Sequence, residues 1–169
     1  MSPDIVPFAH PEEKLKQNKI IQMVTFALDR EEYGVEVLSV REIIRMPELT
    51  KMPNAPHYIE GVINLRGTVI PVISLRKRFN MDSHENDRNS RILVMELKGG
   101  NLTGFIVDSV AEVIRIQSDS IQPAPNVAHM DGVQDCIVGI LDHNQRLLIL
   151  LDLNLLFDDE EHENLTAVA

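Results

Sequence analysis

The chain has no tryptophan, a single cysteine and few aromatic residues. Aromatics make up 4% of its 169 residues, so the core must be aliphatic, built from valine, isoleucine and leucine. The lone cysteine, Cys136, excludes an internal disulfide bond and fits a reducing, cytoplasmic compartment. The sequence contains no 18-residue apolar stretch and no apolar run of signal-peptide kind before residue 20, so no insertion into a membrane is expected.

Positive charge is also in short supply. Lysine and arginine number 16 against 26 acidic residues, which gives a formal net charge of -10. The phosphates of a nucleic acid would repel such a chain, and the basic run Arg76, Lys77 and Arg78 is too short to reverse this. Scarce aromatics also disfavour a barrel that stacks bases. We therefore expect no nucleic-acid partner.

What the chain does have is an internal repeat. The stretch 61–79 returns 78 residues later as 139–157, and the stretch 34–45 returns 70 residues later as 104–115. Eight extra residues between about 127 and 135 account for the change in spacing. Such self-similarity indicates one folding unit written twice. Features found in only one copy therefore need a reason other than shared architecture.

Short strands with frequent turns predict the all-β class. Runs such as 20–28, 69–73 and 147–151 are aliphatic and are separated by proline, glycine or polar turns. Two copies predict two small barrels that meet across a shared aliphatic layer. Ser74 and Asp152 occupy equivalent positions and are expected to cap short helices. Gly67 is expected to permit the turn between two strands.

The same patterns predict a division of the chain. Residues 1–19 are expected to form a flexible N-terminal extension and residues 158–169 an acidic, frayed or weakly helical tail. The domain itself should span 20–157, with one half-barrel at about 20–85 and the other at about 86–157. Exchange of a strand or helix between the halves is expected near the C-terminal end.

No pattern of catalytic or metal-binding residues is present. The histidines at 10, 57, 84, 129, 143 and 162 are scattered, whereas a metal site needs clustered ligands. Cys136 lacks the surroundings of an activated nucleophile, and a phosphate-binding glycine loop is missing. Asp152 matches Ser74 in the repeat, which favours capping over acid–base chemistry. We therefore expect a binding module without a cofactor, not an enzyme.

One loop differs between the copies and is the best candidate for function. The first copy carries Asn64, Leu65, Arg66 and Gly67, where the second carries 142–145, a different sequence. A guanidinium held on a stiff hairpin suits a bidentate partner such as a carboxylate. Glu42 is one possible partner within the chain.

Several motifs taken together resemble the CheW family of chemotaxis coupling proteins. They are GVINLRGTVIPVISL at 61–75, YGV at 33–35, VREI at 40–43, PNAP at 53–56, GFIVDSV at 104–110 and IQPAP at 121–125. The resemblance covers about residues 21–157. It implies the CheW-like fold, two five-stranded β-barrels around a shared aliphatic core with short helices. It also implies a non-catalytic adaptor that joins chemoreceptor cytoplasmic tips to the histidine kinase CheA, at receptor arrays beneath the inner membrane, with other CheW copies as possible ring neighbours.

The resemblance further implies which residues bind. An apolar groove for the receptor hairpin and a charged hairpin beside it would be formed by Val37, Val40, Glu42, Ile43, Ile63, Asn64, Leu65, Arg66, Gly67, Val107 and Val110. Kinase contacts are expected on exposed barrel ends, including the hairpin around Gly67. The sequence does not separate receptor contacts from kinase contacts.

Three other interpretations stay open at this point. The chain could serve another chemosensory-type pathway, such as one that controls pilus-based motility. It could be a small hydrolase that works through Asp108 or Cys136. It could also be a nucleic-acid-binding barrel, which its acidic charge disfavours.

Overall fold

The computed structural model describes residues 19–82, 84–125 and 133–168. The ten strands are β1 (Ile20–Leu28), β2 (Glu31–Glu36), β3 (Val40–Arg45), β4 (Ile59–Leu65), β5 (Thr68–Ser74), β6 (Arg91–Glu96), β7 (Leu102–Val107), β8 (Ser109–Gln117), β9 (Ile137–His143) and β10 (Arg146–Leu151). The described residues also form two helices, α1 (Leu75–Arg78) and α2 (Asp159–Val168), and several short 3-10 turns. The predicted all-β class with short helices is confirmed. The expected extension 1–19 lies, apart from Lys19, outside the described residues.

The strands form two five-stranded sheets with the same topology. The first sheet has the order β8-β1-β2-β10-β9 and the second has the order β3-β6-β7-β5-β4. Each contains one parallel pair, β2 with β10 and β5 with β7, among antiparallel neighbours. The repeat read from the sequence therefore corresponds to a repeat of the sheet.

The sheets do not follow the expected halves at about 20–85 and 86–157. Each sheet takes three strands from one copy of the repeat and inserts a hairpin from the other. The hairpin β1–β2 lies between β8 and β10, and the hairpin β6–β7 lies between β3 and β5. The exchange thus involves two hairpins on either side of the expected boundary and is not confined to the C-terminal end.

The sequence predicts two barrels, but neither sheet closes fully into one. Because the chain bends away after β3 and after β8, neither strand forms a ladder with the opposite edge of its sheet. Instead, the segment after β3 makes one bridge, Thr50 with Val62, and the segment after β8 makes one bridge, Gln122 with Ile140. Val62 and Ile140 are equivalent in the repeat. Each sheet therefore curls toward a barrel without a continuous ladder around it.

Three aliphatic clusters hold the sheets. Since side chains alternate along a strand, Met23 points into a cluster on one face of the first sheet while Val24 points into the layer between the sheets. In the second sheet, Val72 and Ile73 divide in the same way. The shared layer includes Phe26 and Phe105, both fully buried. The sequence predicts this common core, but the core is not purely aliphatic, because the few aromatic side chains are concentrated in it: Phe26, Tyr33, Tyr58, Phe105 and Phe157.

The acidic tail is part of the fold. Asp158 and Glu161 form a reciprocal cap at the start of α2, since each backbone N–H donates to the other's carboxylate. Glu161 also accepts from the Tyr58 hydroxyl at 3.1 Å, and Leu165 is 3% exposed within the shared layer. Of the two alternatives left open by the sequence, a frayed or a weakly helical tail, residues 159–168 form the helical one, which one apolar side chain and one cap anchor.

Both predicted helix caps are confirmed. The Ser74 hydroxyl accepts from the Lys77 backbone N–H, and the Asp152 carboxylate accepts from the Asn154 backbone N–H. Two positions after each cap, the residues differ between the copies. Arg76 stands where the second copy has Asn154, and its guanidinium binds Asp108 and Asp29.

Removing the Arg76 guanidinium should destabilise the fold at neutral pH. Burial raises the pKa of Asp108, but hydrogen bonds from Arg76 and from the Asp29 backbone outweigh burial and lower it below 3.8. We expect Arg76→Leu to cost about 1.5–3 kcal/mol in urea denaturation at pH 7, because charged hydrogen bonds are lost. The pair stabilises only while Asp108 is ionised, so the difference from wild type should shrink as pH falls through that lowered pKa. Adding Asp108→Asn should recover part of the loss; a penalty independent of pH would contradict the assignment.

The positions directly before the bridge residues Val62 and Ile140 should require glycine. A Cβ on Gly61 would lie 2.5 Å from the Thr50 carbonyl oxygen, and one on Gly139 would lie 2.9 Å from the Gln122 carbonyl oxygen. We expect Gly139→Ala to lower the free energy of unfolding by about 1–3 kcal/mol, the range for overpacking. Gly34→Ala is the matched control, because its Cβ would meet the tip of the Leu150 side chain at 3.2 Å. Equal losses in urea denaturation for both variants would contradict this reading.

Candidate functional site

The hairpin β4–β5 ends in a two-residue turn made by Arg66 and Gly67. Their φ angles are 50° and 90°, as in the turns that match the twist of paired strands. The Gly67 backbone N–H donates to the Asn64 side chain at 2.8 Å, which fixes the tip. The equivalent residues Asn144 and Gln145 also have positive φ. The turn conformation is therefore common to both copies, and the arginine is what distinguishes the first.

Arg66 forms a bidentate ion pair with Glu42. Its Nη1 donates to Glu42 Oε1 at 3.3 Å, and its Nη2 donates to Oε2. Glu42 lies on β3 and Arg66 at the end of β4, the two opposite edges of the second sheet. The contact thus crosses the open side of that sheet. The possible partnership inferred from the sequence is present.

The Arg66–Glu42 pair is exposed, so it serves to position the hairpin more than to stabilise the fold. The Arg66 side chain is 71% exposed and that of Glu42 is 29% exposed. The hydrogen bond from Arg66 lowers the pKa of Glu42, and the same contact raises the pKa of Arg66. Surface pairs contribute little to stability. Arg66 and Glu42 line a cavity of about 540 Å³ at the open side of the second sheet. A second ion pair, Arg41 with Glu96, lines the same cavity, so charged side chains surround its opening.

The predicted apolar residues divide into exposed and buried sets. Val37, Val40 and Val110 are half-buried against the shared layer, and Ile43 is 40% exposed. Val40 begins β3 and Val110 lies near the start of β8, and these strands are the edges of the second and first sheets. We call the strip Val37, Val40, Ile43 and Val110 the apolar seam.

Ile63 and Val107 do not belong to this seam. Their side chains are 7% and 0% exposed, so neither is available to a partner and both can only support the surface above them. Leu65 is half-buried against the outer cluster of the second sheet. The sequence placed Ile63, Leu65 and Val107 in the same contact set as the seam, because an apolar residue in a short strand does not reveal whether its face of the strand is buried by another part of the protein.

Sequence reasoning missed Val113. It lies on the edge strand β8, is 57% exposed and is the repeat equivalent of Ile43. Val113 on β8 therefore matches Ile43 of the apolar seam, and both side chains are exposed on edge strands. The repeat itself carried the signal, since every seam residue on β3 has a counterpart 70 residues later.

The side chains considered for chemistry are held in structural roles. Burial raises the pKa of Cys136 to about 12, so its thiol is protonated at neutral pH. Asp29, His84 and Asp108 lie close enough to ligate a cation. However, the Arg76 guanidinium is paired with both aspartates and supplies the positive charge there. Among the described residues no helix is long and apolar enough to cross a membrane.

An ion-paired hairpin beside partly exposed aliphatic residues on two edge strands is an arrangement that suits a scaffolding or adaptor module. The CheW-like domain model matches residues 22–161. The CheW chemotaxis protein of Klebsiella aerogenes is 34% identical over 140 residues, covering 83% of each chain, and that of Bacillus subtilis is 34% identical over 143 residues, covering 85% of this chain and 90% of the relative. The crystal structure of the scaffolding protein TtCheW from Thermoanaerobacter tengcongensis superposes with a TM-score of 0.76 at 38% identity, covering 83% of this chain and 94% of that one.

The chain therefore belongs to the CheW family and is a chemotaxis scaffolding protein without catalytic activity. The family resemblance read from the motifs is confirmed, and with it the adaptor function. The match begins at residue 22 and ends at residue 161, within α2. It thus includes the acidic cap of that helix.

Replacing Arg66 should return the pKa of Glu42 to its usual range. In wild type we expect an NMR titration of the Glu42 carboxyl carbon to give a midpoint below 4.5, and Arg66→Ala to raise it, because the guanidinium hydrogen bond is lost. High salt should raise the wild-type midpoint, since the pair is exposed. Arg146→Ala, which removes the pair with Glu32 beside the other hairpin turn, is the control and should leave Glu42 unchanged. An identical midpoint in wild type and Arg66→Ala would contradict the pairing.

Proposed function

We propose that this chain joins the cytoplasmic tips of chemoreceptors to the histidine kinase CheA. The observation that carries the proposal is the Arg66–Glu42 clamp, which fixes one hairpin beside an exposed apolar strip. A receptor tip is a helical hairpin, and a helix that lays an apolar stripe against a groove is a common mode of recognition. Val37, Val40, Ile43 and Val110, together with Val113, would take that stripe.

The kinase would dock on the exposed ends of the sheets. The regulatory domain of CheA is itself CheW-like, so two similar surfaces could join head to tail and alternate in rings. The turn residues Asn64 and Gly67 are exposed, and Arg66 would offer its remaining donor N–H groups. Other CheW copies would fit the same ring positions. The protein would then act at receptor arrays beneath the inner membrane.

The mechanism would be a shift of populations without chemistry. A scaffold that contacts receptor and kinase at once lets a change in the receptor favour one kinase state, provided the contacts differ between the two states. A fixed hairpin suits this role, because a flexible tip would absorb the movement. The same surfaces would serve another chemosensory-type pathway, which binding to that pathway's receptors would reveal.

Breaking the clamp should lower receptor-coupled kinase activity. In arrays reconstituted from receptor, CheA and this chain, we expect Arg66→Ala and Glu42→Lys each to reduce kinase activation by about tenfold or more, the change that about 1.4 kcal/mol of lost contact produces. Circular dichroism should show an intact fold, because the pair is exposed. The exchange Glu42→Arg with Arg66→Glu should restore part of the activity if the clamp acts by positioning the hairpin.

Arg146→Ala is the matched control for this experiment. Arg146 pairs with Glu32 beside the equivalent hairpin turn of the second copy, at 2.9 Å. Its removal should leave activation near the wild-type level. Full activation by Arg66→Ala, or a pull-down in which neither receptor nor CheA is retained, would overturn the proposed assignment.

A further inference from the structure

Three arginines line one cavity at the end of the second sheet. Arg45 ends β3, Arg91 begins β6 and Arg88 lies in the turn before β6, and together they line a cavity of about 530 Å³. Arginines elsewhere, such as Arg41 and Arg66, pair with a carboxylate. Within the described residues, none of these three arginines does so. Because the chain carries a net charge of -10, such a group of positive side chains without acidic partners needs an explanation.

The placement of Arg91 works against the stability of the sheet. Arg45 and Arg91 are directly opposite each other in the pairing of β3 with β6. Like charges at opposite positions destabilise an antiparallel pair. The first sheet avoids this contact, because Arg115, the repeat equivalent of Arg45, is opposite the neutral Gln22. The architecture therefore does not require a second arginine here, and its reason must lie outside the fold.

The turn before β6 holds the arginines in a fixed arrangement. The Asp87 carboxylate accepts from the Asn89 backbone N–H at 2.8 Å, and the Ser90 hydroxyl accepts from the Asp87 backbone N–H at 2.9 Å. The Arg91 Nη1 donates to the Arg88 and Ser90 carbonyls, both at 2.8 Å. The Nε and Nη2 of Arg91 make no hydrogen bond to any described residue. The guanidinium is therefore held through one nitrogen and can donate from the other two to a ligand.

We propose that this cavity binds a compact phosphate compound, such as a diphosphate or triphosphate group. Guanidiniums donate in a planar fork that matches carboxylate and phosphate oxygens. A terminal phosphoryl group has three oxygens and can accept from several guanidiniums at once, whereas a carboxylate has two. Met46 is the one apolar side chain in the lining, which therefore does not suit an acyl chain or a stacked base. This inference does not depend on the proposed partners.

The charge of the remaining chain favours a small ligand. A membrane surface or a nucleic acid would bring many negative charges near the acidic residues that surround the cavity region, and a net charge of -10 opposes that approach. A compact anion escapes most of this repulsion, because exposed charges are screened over roughly 8 Å at physiological ionic strength. Local attraction by the three arginines can therefore outweigh the repulsion from the rest of the chain.

Calorimetric titration of the full-length chain with pyrophosphate, in buffer without magnesium, tests the proposal. We expect Arg45→Gln and Arg91→Gln each to weaken pyrophosphate binding by roughly tenfold or more, because each removes charged hydrogen bonds. Arg115→Gln is the matched control, since Arg115 is the equivalent of Arg45 on the first sheet. It should leave the affinity unchanged. Equal weakening by Arg115→Gln would show general ionic attraction and would overturn the proposal.

Thermal unfolding gives a second measurement that does not depend on the stability of each variant alone. Pyrophosphate should raise the melting temperature of wild type, because a ligand that binds the folded state stabilises it. Sodium chloride at the same ionic strength should not reproduce the rise. The rise should disappear in Arg91→Gln, a variant expected to fold because it recreates the glutamine–arginine pairing of Gln22 with Arg115. A rise of equal size in Arg91→Gln would contradict the site.

Two further ligands separate the alternatives. Hexaglutamate tests an acidic protein segment, and vesicles that contain phosphatidylserine test a lipid surface. We expect neither to bind in a way that Arg91→Gln abolishes. If either does so while pyrophosphate shows no binding to wild type at millimolar concentration, the cavity belongs to that partner and the proposal is overturned.

Discussion

Each sheet of this protein is completed by a hairpin from the other copy of the repeat. Removing β1–β2 would separate β8 from β10, and removing β6–β7 would separate β3 from β5. Every contact between those hairpins and their neighbours is therefore a contact between copies. A 60-residue half would be marginal on its own, and here it would also lack the centre of its sheet. The shared aliphatic layer, with Phe26 and Phe105 buried in it, follows from this exchange.

The repeat also separates architecture from function. Gly61 and Gly139 are kept because a returning segment crosses each of them closely. By contrast, Pro71 replaces Ile149 in the first copy, and the parallel ladder of the second sheet begins only at Val72, one residue beyond the proline, which has no N–H to donate. This shifted ladder involves β5, the second strand of the hairpin that carries Arg66. Two departures from the repeat, Pro71 and Arg66, therefore lie on the hairpin that carries the family motif.

Much of the fold could be predicted from the sequence, and its pairing could not. Periodicity and glycine spacing predicted the strands, the caps at Ser74 and Asp152 and the duplication. They could not show which copy supplies each hairpin, because both copies are nearly alike and either pairing satisfies the same apolar pattern. The same limit placed Ile63 and Val107 among the contact residues, since burial depends on which sheet covers a strand. The sequence left open whether the tail after residue 158 is helical or frayed, and it could not show that the helix packs on the core, because one leucine in an acidic stretch is a weak signal.

The groove lined by Glu36, Val138 and Asn154 and the equivalent groove lined by Ile106, Glu60 and Arg76 show how a duplicated fold acquires unequal surfaces without changing its core. Exchanging Asn154 for Arg76 and Leu38 for Asp108 leaves the strands and caps alike, yet one groove becomes an ion-pair network and the other remains apolar. Both changes lie outside the strands, so they leave the sheet ladders unaltered. A scaffold that must hold several partners in a fixed order needs surfaces that cannot be mistaken for one another. In a pseudo-symmetric fold such as this one, surfaces that differ can arise only at the positions where the two copies disagree.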